Sequence, residues 1–275
     1  MDNRTNQMVL PPAVAGLFYP ADGRQLQDDV DRFLLRAETE MARKTPATPR
    51  PKALIAPHAG YTYSGAIAAA AYARLIPYAD EIRRVVIFAP AHRLAFSGLA
   101  VSSADEFSTP VGRVPVEVKL RDKLVTRNEH LNVIDEAFQQ EHALEVQLPF
   151  LQRLLVDFQI LPVLVGDADP ADVSKLMLAC WGSIESLIVV SSDLSHFEEY
   201  AQARVHDRAT ADRIEALHDE EIGPRDACGC VPVAGLLKVA RRKRLHPVTL
   251  DLRNSGDTAG GKGEVVGYGA YAFSQ

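Results

Sequence analysis

The chain has 275 residues, 47% hydrophobic and 24% charged, which is ample for a full core. Its net charge is −6, and its one basic cluster, Arg241-Arg242-Lys243-Arg244, reads as a solvated helix end where cations suit the dipole, so nucleic acid is not an expected partner. No apolar run reaches about 18 residues and Met1–Gln7 has no signal-peptide core, so no membrane association is expected and the expected location is cytoplasmic.

Residues 1–8 read as a flexible end, and Val9–Tyr19 is kept extended by its prolines. Leu26, Val30, Phe33, Leu34, Ala37 and Met41 recur at helical spacing and predict one amphipathic helix over 22–43. Thr45–Pro51 is proline-dense and reads as a surface connector, because the segment before it is too short for its own core. Unbroken apolar runs predict buried strands at 53–56, 85–89, 159–165 and 187–191, with late strands at 248–252 and 265–273. Gly98–Ser103 and Phe107–Glu117 read as strands or hairpins broken by Pro110, Gly112 and Pro115. Helices are predicted at 65–76, 117–126, 144–156, 201–218 and 232–242. One more opens at Asp169 as N-cap with Pro170 in its first position. The alternation predicts an α/β fold, a single domain over 1–275, with a mostly parallel or mixed central sheet and helices on both faces.

Three of the apolar runs end in a histidine. Ala53–Ala56 leads into Pro57-His58, Val85–Ala89 into Pro90-Ala91-His92, and Leu187–Ser192 into Asp193-Leu194-Ser195-His196. Ligands of open α/β sheets bind just beyond the carboxyl ends of the strands. Neutral imidazole is the commonest metal ligand near pH 7, so His58 and His92 read as a metal pair or, alternatively, as satisfied structural histidines. The cysteines, Cys180, Cys228 and Cys230, are too few and odd in number for a disulfide framework. Cys228 precedes a helix whose N-terminus favours a thiolate, which makes it the preferred third ligand; Cys230 competes for that role, and either can be a small buried hydrophobe. Cys180 reads as core. Asp193 stands three residues from His196 and either orients it as a general base or caps the next helix. His142 and Glu145 share a helix face if that run is helical; they either support ligand histidines or open the helix as a capping cluster. Tyr61, in the His58 motif, and Asp257, in the 255–263 loop, join them as substrate-binding or supporting residues. That loop imitates a phosphate loop, but Gly263 replaces the required hydroxyl residue and a strand follows, so nucleotide binding is rejected. His130, His206, His218 and His246 read as surface residues.

Together P-A-V-A-G-L-F-Y-P (12–20), A-P-H-A-G-Y-T-Y-S-G (56–65), F-A-P-A-H (88–92), F-S-T-P-V-G (107–112), E-H-A-L-E-V-Q-L-P-F-L (141–151), S-S-D-L-S-H (191–196) and N-S-G-D (254–257) with V-V-G-Y-G-A (265–270) resemble the Memo family, in order and over nearly the whole chain. The resemblance implies a fold related to the class III extradiol dioxygenases, the LigB-like group. It implies a metal site of two histidines and a cysteine, matching His58, His92 and Cys228, with His196 and Asp193 at the dioxygenase catalytic position. It also implies an association of microbial relatives with AMMECR1-like and radical-SAM proteins. The dioxygenases complete their triad with a carboxylate; the softer cysteine tilts preference toward copper or zinc, or a differently tuned iron, and weighs against ring cleavage itself.

Three functions follow as expectations. The first is a non-haem redox enzyme of dioxygenase type acting on a small molecule, with one divalent or redox-active ion, Fe(II) first and copper or zinc next. The second is a metal- or protein-binding module without turnover. The third is a metal hydrolase in which His196 assists a bound water.

Overall fold

The computed structural model describes residues 7–44 and 49–275. Residues 1–6 of the expected flexible end and 45–48 of the proline-dense connector lie outside the described residues. Met8 is tied down, its N–H donating to Asp105 Oδ2 at 2.9 Å.

The strands are β1 (Val9–Leu10), β2 (Pro51–Ala56), β3 (Arg84–Pro90), β4 (Leu99–Val101), β5 (Glu106–Thr109), β6 (Gly112–Pro115), β7 (Leu131–Val133), β8 (Gln159–Val165), β9 (Ser186–Ser191), β10 (His196–Glu198), β11 (His246–Asn254) and β12 (Val265–Ser274). The helices are α1 (Gly23–Lys44), α2 (Tyr61–Tyr72), α3 (Val118–Arg127), α4 (Leu148–Leu154), α5 (Pro170–Ala179), α6 (Tyr200–Glu215) and α7 (Cys230–Lys243). The nine-stranded sheet runs β10-β12-β2-β9-β3-β8-β4-β7, with β11 also on β12, and β1-β5-β6 form a small second sheet. Strands β2, β9, β3 and β8 are mutually parallel, while β12 is antiparallel to β2 and β4 to β8, so the sheet is mixed.

The central strands are apolar through their middles because both faces are covered, with polar residues such as Arg84, Gln159 and Ser191 at their ends. Leu54, Ile87 and Val189 point into the layer made with α1, α2 and α4. Their neighbours Ile55, Phe88 and Val190 point into the opposite layer, made with α5, α6 and α7. The predicted N-cap holds, Asp169 Oδ1 accepting from Ala171 N–H at 2.7 Å.

Two helices differ from expectation. Helix α2 starts at Tyr61 and carries Gly65 inside it. A Cβ at Gly65 would stand 2.7 Å from the Phe33 ring, so the missing side chain lets α1 and α2 approach closely. Helix α4 begins only at Leu148, after a 3-10 turn over Glu145–Gln147, because the polar groups of 141–147 are engaged elsewhere.

The strand order places the site. Strand β9 lies between β2 and β3, so three adjacent parallel strands end together. The turns that follow carry His58, His92 and the Asp193 loop. That loop is held from the other side by β12: Leu194 N–H donates to Gly267 O and Gly267 N–H to Ser195 O, both at 2.8 Å. Gly267 has no room for a side chain, since a Cβ would fall 2.1 Å from Oδ2 of the buried Asp207. Asp207 in turn accepts from Ser195 N–H at 3.0 Å. We predict that Gly267→Ala destabilises by about 1–3 kcal/mol, although glycine in a strand is ordinarily the weaker residue. Urea denaturation measures it, and an unchanged midpoint would show that the Asp207 carboxylate is free to retreat.

Candidate metal centre

His58 follows the end of β2 and is buried, at 2% exposure. Its N–H donates to Asp193 Oδ1 at 2.7 Å, and its Nδ1 lies 3.0 Å from Ser191 Oγ. The Ser191 hydroxyl has one proton, which it gives to Ala143 O at 2.5 Å, and it already accepts from Gln147 Nε2 at 2.8 Å. It can only accept from His58, so Nδ1 carries the hydrogen and Nε2 is a bare lone pair. Gln147 is itself fixed, donating to Pro57 O at 3.0 Å and accepting from the Tyr72 hydroxyl at 2.8 Å.

His92 reaches the same tautomer by another route. Its N–H donates to Glu141 Oε2 at 2.5 Å and its Nδ1 lies 3.1 Å from Glu141 Oε1. A carboxylate only accepts, so Nδ1 is again protonated and Nε2 left bare. Glu141 Oε1 also accepts from His142 and Ala143 N–H, at 2.9 and 3.0 Å. Burial raises the Glu141 pKa, but His142, His92 and the N–H groups of Ala143 and His92 outweigh it and hold the carboxyl well below its usual range.

Cys228 sits just before Gly229, the N-cap of α7. A Cβ at Gly229 would lie 2.9 Å from Ser191 O, so glycine lets this loop press against the end of β9. Cys228 N–H donates to Asp193 O at 3.3 Å, and Asp193 N–H donates back to Cys228 Sγ at 3.3 Å. The sulfur stands 3.2 Å from His58 Nε2. Donor atoms of His58, His92 and Cys228 all lie within 4.8 Å of one another. Metal–nitrogen and metal–sulfur bonds of about 2.1 and 2.3 Å imply a nitrogen–sulfur separation of about 3.1–3.6 Å, which the His58–Cys228 pair meets, and the three donors together are a candidate set for a single ion. Cys230, in the first turn of α7, packs beside the second core layer and is not in the set, and Cys180 is core.

Burial, then the charges of His92 and His142, pushes the His58 pKa well below 6.5, which keeps it neutral as a cation requires. The thiolate expected at Cys228 is not produced by the helix end. Burial and the Asp193 carboxylate push its thiol up to about 12.

His196 is exposed, and its Nδ1 lies 2.8 Å from Leu194 O, so a carbonyl rather than Asp193 fixes its tautomer. Asp193 instead accepts from His58 and Ala59 N–H, and burial raises its pKa. Nor does it cap a helix, since β10 intervenes before α6. His142 belongs to the cluster, its ring centroid 4.9 Å from His92 and 5.4 Å from His58, with Phe18 on its other side at 4.6 Å. Its Nδ1 lies 3.2 Å from Glu141 Oε1 but out of line, and has no hydrogen-bond partner. Glu145 sits elsewhere than its spacing implied, accepting from Ala13 N–H at 2.6 Å, Val14 N–H at 3.1 Å and the Tyr19 hydroxyl. It anchors the N-terminal segment, and burial pushes its pKa up. Tyr61 is packed in the core, its hydroxyl donating to Val146 O at 2.7 Å. Asp257 closes the capping box with Asn254 and accepts from the Tyr200 hydroxyl at 2.5 Å.

A family model described as Memo-like protein matches residues 11–272. The chain belongs to the Memo family. It is 35% identical over 272 residues to a MEMO1 family protein of Aquifex aeolicus (strain VF5), covering 94% of this chain and 97% of that one. It is also 31% identical over 284 residues to one of Sulfolobus acidocaldarius, covering 97% and 99%. A third, from Methanosarcina acetivorans, is 35% identical over 272 residues, covering 94% and 97%.

In this Memo-family chain a cavity of about 270 Å³, lined by Pro90, Leu94, Phe96, Val231 and Pro232, opens onto Cys228. No helix of the described residues is long and apolar enough to cross a membrane.

His206 is not the surface residue expected. From α6 its Nδ1 lies 2.8 Å from Glu198 Oε1 and its Nε2 2.9 Å from Asp226 Oδ1, joining the His196 strand to the Cys228 loop. Arg213 donates to the same Asp226 oxygen, also at 2.9 Å. Burial lowers the His206 pKa, but the hydrogen bonds and charges of Asp226 and Glu198 outweigh it and raise the pKa above 6.5. A raised folded-state pKa gives stability that is full below the unfolded value and lost as pH rises through the folded one. The stability gap between wild type and His206→Gln should therefore be widest below pH 6.5 and shrink as pH rises above it through the raised folded-state value, as urea titrations at several pH values would record. A gap that widens with pH would contradict the charged bridge.

Proposed function

We propose that this chain binds one divalent or redox-active metal ion through His58 Nε2, His92 Nε2 and Cys228 Sγ, and uses it in dioxygenase-type redox chemistry on a small molecule. Fe(II) is the first choice, with copper or zinc next. The observation that carries this reading is the convergence of those donors within 4.8 Å, with both Nδ1 atoms already engaged. A redox ion held there would supply electron exchange between O2 and a substrate, which no side chain of this site supplies alone.

The chain's own residues do the rest. His58 and His92 present neutral nitrogens in a fixed tautomer. Cys228 gives up its thiol proton when a cation binds, offsetting the burial that otherwise keeps it protonated. The Asp193 N–H donates to the sulfur and moderates the charge that develops there. His196 is bare at Nε2 and takes a proton from a substrate hydroxyl at that atom. The cavity beside Cys228, mostly apolar with Asp167 in its lining, gives a small molecule access to the sulfur. A thiolate ligand suits a reducing compartment, in keeping with a cytoplasmic location.

Metal analysis after anaerobic purification tests the site. Iron should be present, with O2 uptake on a panel of catechols, and His58→Ala, His92→Ala and Cys228→Ala should each abolish binding. Tight copper without turnover would replace this reading with a binding module, and zinc with esterase or amidase activity would replace it with a hydrolase. Ser191→Ala should lower metal affinity about 10–100-fold in a Co(II) competition titration, because His58 Nδ1 then loses the acceptor that fixes its tautomer. Unchanged affinity would show that the tautomer is set by something else.

A further inference from the structure

Three non-glycine residues among those described have positive φ: Phe197 at 59°, Leu217 at 59° and Arg244 at 56°. Leu217 and Arg244 follow the last turns of α6 and α7, where a left-handed residue is an ordinary terminator. Phe197 follows no helix. It lies within β10, where His196 pairs with Val266 and Glu198 with Val265, so Phe197 is the extra residue of a β-bulge.

The bulge directly follows His196, which is exposed at the end of the Asp193 loop. A left-handed bulge position is best filled by glycine or asparagine, and a bulky side chain there is unfavourable. The Phe197 ring is also 72% exposed, so it gains little from packing. A lone exposed apolar side chain needs no explanation, and neither does a bulge. Their coincidence at one residue, beside a histidine near enough for its charge to act on both His58 and Asp193, does. Its ring centroid lies 5.7 Å from that of His196, nearly edge-on.

We infer that Phe197 is a specificity-determining residue, its ring forming an apolar wall beside His196 against which a flat ring of the substrate packs. The inference rests on the proposed function for the location of the substrate, and it names the substrate's chemical class. A free His196 Nε2 for a hydroxyl and an aromatic face next to it define a ring that carries a hydroxyl. The cavity at Cys228, about 270 Å³ and mostly apolar with Asp167 in its lining, is of a size for a compact ring.

The test compares two probes that share vicinal hydroxyls, catechol and trans-1,2-cyclohexanediol, by ligand-observed NMR titration of the protein as purified, with metal content measured separately. Wild type should prefer catechol. Phe197→Gly should weaken catechol binding roughly three- to tenfold and leave the diol unchanged, while Phe197→Trp retains the preference. The same Phe197→Gly variant should melt no lower than wild type and up to a few degrees higher, because it relieves the left-handed conformation. Equal catechol affinity in wild type and Phe197→Gly would overturn the inference, and so would a lower melting temperature, which would make the ring structural. Binding of neither probe by wild type would also overturn it. A protein without metal that still prefers catechol would sink the metal reading and leave this one standing.

Discussion

One hydroxyl proton orders much of this site. Ser191 closes β9, the strand between β2 and β3, and gives its only hydrogen to Ala143 O. Everything else that touches its oxygen must then donate, which fixes His58 with its hydrogen on Nδ1 and its lone pair toward Cys228. Three stretches far apart in sequence meet on that one atom: the turn after β2, the 141–147 run and the end of β9. A buried polar network is worth keeping only when every member is satisfied. Here the members around Ser191 are, through Gln147, Pro57 and Tyr72.

The parallel strands were readable because burial on both faces leaves an unbroken apolar signature. So were the turns that carry His58, His92 and Cys228, since each follows such a run or precedes a helix. Glu141, Gln147 and Ser191 could not be ranked above their neighbours in sequence, because their importance is which atom they face. Glu145 shows the opposite error. Its three-residue spacing from His142 means a shared face only in a helix, and that stretch is a loop running into a 3-10 turn. Asp193 misled in a similar way: proximity to His196 in sequence gave no hint that its carboxylate turns back to His58 N–H. Strand β10 was missed because it is short, polar and bulged, with no periodicity to detect.

The Cys228 sulfur shows how two local rules compete. A helix end and an N–H donor favour a thiolate, whereas burial and a neighbouring carboxylate favour the thiol. Burial is the larger influence, and the protonated form wins. A cation reverses that balance because its charge acts at bonding distance in a poorly solvated site. The protein therefore holds the sulfur in place while leaving its ionisation to whatever binds.

The sequence separation of 170 between His58 and Cys228 has a consequence for biosynthesis. At about 5–20 residues per second a ribosome takes roughly 10–30 seconds to travel from one to the other. During that interval the imidazoles are made and the sulfur is not. The loop bearing His196 also waits for β12, still further along, before Gly267 can grip it. The three-donor set thus cannot exist until Cys228 has been made, and any ion selected by all three is selected late in synthesis or after it.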